Sequence, residues 1–101
     1  MTKLRFLLSL LLLMMLSIPA NANNYAGKKI LWIDSYHKEL EWTAGIEEGI
    51  DSVIRKTSAT YKIHRMDTKR NTSPEFKEAA GKKAKDAIEA FNPDIVIATD
   101  D

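Results

Sequence analysis

The 101-residue chain has no cysteine, which excludes disulfides, thiolate metal centres and the lipid-modified cysteine of a tethered bacterial lipoprotein. Glycine occurs only four times. There is no GxGxxG after a strand and no GxxxxGK followed by serine or threonine, so nucleotide sites of those kinds are excluded. Neither charge dominates, with 15 Lys plus Arg against 14 Asp plus Glu. Lys3 and Arg5 stand at the N-terminus, and without them the remainder carries a formal charge of −1. Nothing in that balance calls for a polyanion, and no nucleic-acid partner is expected. A run long enough to span a bilayer is also missing. The apolar stretch from Phe6 to Leu16, broken only by Ser9, falls short of the roughly 20 residues a spanning helix needs.

What is present divides in two. Fifteen of the first 22 residues are apolar and none is acidic, whereas 27 of the following 79 are charged. The front piece has a basic start, a short apolar run, Pro19 and the small triplet Ala20, Asn21, Ala22. That order is the pattern of a cleaved secretory signal peptide over residues 1–22. Residues 23–28 read as a polar leader, and residues 29–101 as a partial α/β lobe. The expected location is periplasmic or extracytoplasmic, with membrane contact only through the export signal or a membrane partner.

Ile30 to Ile33, ending at Asp34, is a continuous apolar run suited to a buried parallel strand. Trp42, Ile46, Ile50, Val53 and Ile54 recur at threes and fours and predict an amphipathic helix of about four turns lying on the sheet. Gly45 and Gly49 fall inside it, and close packing on the sheet is the expected reason. Thr60 to Met66 alternates, as a half-solvated edge strand does. Thr72, Ser73, Pro74 and Glu75 supply a helix start. Phe76, Ala80, Ala84, Ala87, Ile88 and Phe91 give that helix its apolar face, and Asn92 with Pro93 ends it. A final apolar strand runs to Thr99.

The predicted fold is therefore β-α-β-α-β, an open parallel sheet that right-handed crossovers order 2-1-3. The third strand is as apolar as the first, so the pattern expects further strands beside it and a longer polypeptide.

In open parallel sheets ligands bind beyond the carboxyl ends of the strands. Asp34, Ser35, Tyr36 and His37 follow the first strand, Trp42 opens the first helix, and Thr99, Asp100 and Asp101 follow the third. Together they supply carboxylates, hydroxyls and rings for a small polar ligand, and the free amides of the helix start can receive an anion. His37 has no serine or cysteine nucleophile at a recognisable spacing, so binding is expected and catalysis is not. Asp34, Asp100 and Asp101 form the sort of oxygen set that takes magnesium, but acids also end strands and cap helices, and no metal or cofactor is expected.

The segments ILWIDSYH at Ile30 to His37, Trp42 with the following GIEEGI, MDTKR at Met66 to Arg70 and PDIVIATDD at Pro93 to Asp101 resemble the exported substrate-binding proteins of ABC transporters with the type I periplasmic-binding fold. The resemblance implies a two-lobed, non-enzymatic protein that closes on a small-molecule solute and delivers it to an ABC transporter permease. This chain would begin the first lobe, with Ser35, Tyr36, His37, Thr99, Asp100 and Asp101 facing the cleft. An alternative is an extracytoplasmic ligand-sensing domain of a signalling protein. A third is a magnesium-dependent, receiver-like phosphoryl-transfer domain. Export opposes it, and so does the acid pair, which follows the third strand where a receiver needs it after the first.

Overall fold

The computed structural model describes residues 24–100. The expected signal peptide and Asp101 lie outside the described residues. Five elements follow in order: β1 (Lys29–Asp34), α1 (Glu41–Ile54), β2 (Thr60–Arg65), α2 (Pro74–Phe91) and β3 (Ile95–Thr99). The strands form one parallel sheet in the order β2-β1-β3, as the sequence predicts. Trp32 pairs with Ile63 on one side and with Ile97 on the other.

Side chains alternate across this sheet, so Ile30, Trp32 and Asp34 share a face with Tyr61, Ile63 and Arg65. That is the α1 face, because Arg65 reaches Glu47 on the helix. Leu31 and Ile33 point the other way, into a cluster with Ala84 closed by Met66, Ile88 and Phe91. The small side chains of Ala80 and Ala84, both buried, let α2 lie close to β1. Its start is capped as read from the sequence. The Ser73 hydroxyl accepts the Phe76 N–H at 3.1 Å, and Pro74 fills the first turn. Asn92 ends the helix in the left-handed region at φ 50°, a conformation asparagine tolerates.

α1 departs from expectation in part. Ile46, Ile50 and Ile54 are half-buried as expected, and so is Glu47 beside a fully buried Thr43, whereas Trp42 is 64% and Val53 65% exposed. The helix is turned so that Glu47 faces the sheet, where Arg65 requires it. The glycine expectation is corrected as well. A side chain at Gly45 or Gly49 would meet nothing within 4 Å, so neither glycine packs on the sheet.

β3 closes the sheet on its far side. Its start is tied to β1 by the Asp94 carboxylate, which accepts the Lys29 N–H at 2.8 Å, and by the Asp94 N–H, which donates to the Lys29 carbonyl at 2.8 Å. Its own apolar residues stay open, with Ile95 53% and Val96 43% exposed.

Tyr61 yields a pH prediction. Burial first, then the Asp51 and Glu47 carboxylates, push its phenol from 10.0 up to about 12. A raised acid gives stability that is complete below its unfolded value and lost as the pH climbs through the folded one. The Tyr61 hydroxyl is also buried without a partner, so Tyr61→Phe should cost nothing near neutrality. Melting curves between pH 10 and about 12 should show the wild type losing stability relative to this variant. Parallel loss in the two would refute the assignment.

Candidate functional site

Because all three strands run parallel, their carboxyl ends and the loops that follow lie on one edge of the sheet. The buried layer there is polar. Asp34 is fully buried, and one of its oxygens accepts the Arg65 guanidinium at 2.8 Å while the other accepts the Tyr36 N–H at 3.0 Å. Arg65 also binds Glu47 on α1. Burial opposes its charge, and the hydrogen bonds to Glu47 and Asp34 outweigh that effect, so the guanidinium sits above its ordinary value. Its Cζ lies 5.4 Å from the Trp32 ring centre.

Hydroxyls tie the three loops together. Ser35 Oγ donates to the Thr99 carbonyl at 2.7 Å, and Thr68 Oγ1 donates to the Ser35 carbonyl at 2.6 Å. The indole N–H of Trp32 donates to Thr99 Oγ1 at 2.9 Å. Backbone amides of Asp67 and Thr68 donate to the carbonyls of Tyr36 and Ser35. Asp34, Ser35 and Thr99 thus have their polar atoms engaged within the fold, where they fix the loops.

The side chains left accessible form the surface above that layer. Tyr36 is half-buried, with Lys69 Nζ 5.4 Å from its ring centre. His37 places Nδ1 3.7 Å from Asp67 Oδ1, buried and without a hydrogen-bond partner. Arg70 donates Nε–H to Asp67 at 2.7 Å. That bond, aided by the charges of Arg70 and His37 and by Asn71, holds the Asp67 carboxyl below the ordinary carboxylate range. Trp42 presents its ring to solvent and is steadied by donating its indole N–H to Asp100 Oδ1 at 3.0 Å. Beside it lies an open depression of about 570 Å³ lined by Glu41, Trp42, Gly45 and Ile46.

Asp67 and Asp100, at the ends of the two outer strands, both sit in the left-handed region at φ 60° and 69°. Strain of this kind concentrates where a loop must present a particular surface. The start of α1 has no side-chain cap and an acid, Glu41, in its first turn. With Glu39 and Asp100 close by in the sequence or the fold, that end is more acidic than an anion site requires.

The structure brings together Asp34, Ser35, Tyr36, His37, Trp42, Thr99 and Asp100. Asp101 lies outside the described residues. Arg65, Glu47 and Thr68 were missed, although the period-two alternation from Thr60 to Met66 puts Arg65 on one face with Tyr61. Among the described residues no group of three His, Asp or Glu side chains is arranged to hold a metal, and no helix is long and apolar enough to cross a membrane. Compared with known proteins, the chain matches no family model, no curated protein and no solved structure.

Proposed function

We propose that this protein is the exported solute-binding component of an ABC transporter, that residues 29–101 belong to the first of two lobes, and that the protein hands a small molecule to a membrane permease. One observation carries the reading: Tyr36, Trp42 and Asp100, with the largely buried His37 beside Tyr36, gather at the carboxyl ends of adjacent parallel strands. Beneath them the backbone is locked by buried hydrogen bonds. Such a wall is ordered before a ligand arrives, so binding does not have to order it. A second lobe closing over it would bury the solute and convert occupancy into a shape that a permease can read. No nucleophile, metal or cofactor enters the reading.

Calorimetry on the native exported product against a panel of small polar and aromatic solutes tests it, together with small-angle scattering for compaction. The expected result is at least one solute that binds and shrinks the particle. Trp42→Ala should weaken that solute by about tenfold, a typical loss for one aromatic contact. Absence of binding across the panel, or binding without compaction, would overturn the two-lobed reading. Intact mass of the same material, beginning at Asn23, checks the signal peptide.

A further inference from the structure

β2 is an outer strand of the sheet, with β1 as its one neighbour among the described residues. The Thr60 and Met66 N–H groups donate to the Lys28 and Asp34 carbonyls. Hydrogen-bonding direction alternates along a strand, so Tyr61, Ile63 and Arg65 turn their N–H and C=O groups to the open side. The two flanks of that edge differ. Tyr61 and Ile63 stand on the α1 face, with Ile63 37% exposed, and Arg65 beside them is occupied by Asp34 and Glu47. Lys62 and His64 stand on the α2 face. Two depressions of about 270 and 250 Å³ lie between this flank and α2, with His64 lining both, Lys83 the first and Lys62 the second. Among the described residues neither lysine is in an ion pair. Lys82 and Lys85 make those of α2, and Lys62 Nζ lies 4.8 Å from the Phe91 ring centre. Asp67, the one carboxylate lining these depressions, is engaged by Arg70 and Asn71.

We propose that β2 is a docking edge for an extended acidic peptide, which adds a strand to the sheet and alternates acidic with apolar side chains. A row of outward N–H and C=O groups is matched by another extended backbone. Side chains then select the partner. Every second residue of the added strand falls beside Lys62 and His64, facing the depression that Lys83 lines, and the others fall beside Tyr61 and Ile63. Acids suit the first set and apolar residues the second. The same flank turns away a second copy of the chain, since antiparallel pairing of two β2 strands centred on Ile63 sets lysine against histidine twice. The β3 edge is the poorer site for this partner, because Asp94 and Asp100 flank it. The proposal stands apart from the solute-binding reading, whose surface contains none of Lys62, Ile63 and Lys83.

Fluorescence anisotropy with the full native chain is the test, using a labelled peptide of about ten residues that alternates valine and glutamate and a second that alternates valine and lysine. The expected result is saturable binding of the glutamate peptide alone. Lys62→Glu combined with Lys83→Glu, at two exposed positions, weakens it by about tenfold and admits the lysine peptide. Ile63→Pro removes an outward donor that β1 does not use, a change edge strands tolerate, and abolishes binding. Amide hydrogen exchange at Tyr61, Ile63 and Arg65 slows in the complex. Failure of the glutamate peptide to bind overturns the proposal and leaves Lys62 and His64 as guards of an open edge. Binding that ignores the double reversal overturns it equally, and so does binding that leaves those amides unprotected, which is charge attraction without strand pairing.

Discussion

Arg65→Ala is expected to lower the free energy of unfolding by about 3–5 kcal/mol, the usual cost of leaving one member of a buried ion pair alone. Asp34 is 0% exposed and accepts the guanidinium at 2.8 Å, so the variant leaves a carboxylate in the interior with only the Tyr36 N–H to serve it. Glu47, which helps fasten α1 to the sheet, loses its partner as well. Small domains hold about 5–15 kcal/mol in total, so a loss of this size approaches global unfolding. Arg65→Lys should recover only part, because one ammonium cannot divide a planar fork between two carboxylates. Urea denaturation measures both variants. A loss under about 1 kcal/mol for Arg65→Ala would mean that water reaches Asp34 and that the pair does not organise the strand-end loops.

Trp32→Ala should cost a similar amount, about 3–5 kcal/mol, through the cavity left by a fully buried indole. Trp32→Phe separates packing from polarity. It keeps a ring between α1 and the sheet and removes only the N–H bond to Thr99 Oγ1, worth about 1 kcal/mol. The two changes should also differ at the site. Losing the Thr99 bond loosens the end of β3 that carries Asp100, so, on the proposed solute-binding function, Trp32→Phe should weaken binding while nearly sparing stability. If phenylalanine proves as costly as alanine, the ring is held by its hydrogen bond more than by its packing.

The elements with strong local chemistry were legible in the residues. Ser73, Pro74 and Asn92 fix both ends of α2 by capping and backbone restriction, which act over a few residues. The alternation from Thr60 to Arg65 separates the two faces of β2, and chain chirality supplies the strand order. α1 was legible as a helix, but its rotation only in part: Ile46, Ile50 and Ile54 are half-buried, while Trp42 and Val53 are exposed. Hydrophobicity alone puts Trp42 and Val53 on the covered face. The deciding partner, Arg65, lies on another strand. The site divides in the same way. Position at the strand ends selected Tyr36, Trp42 and Asp100, which are accessible, and His37, which is largely buried. It also selected Asp34, whose carboxylate is engaged by Arg65 across a separation of 31 residues, a pairing that no local pattern encodes.

The central position of β1 has a consequence in time. The first strand to be synthesised is the one that both others pair with, and Ile30 must wait for Ile95 before its second neighbour exists. Contacts so distant in the chain are closed late and at an entropic cost, which slows folding. Until then Leu31, Trp32 and Ile33 have a bare edge beside them, in a nascent chain growing at about 5–20 residues per second. The delay holds the chain open for several seconds, long enough for a chaperone to engage it before it folds.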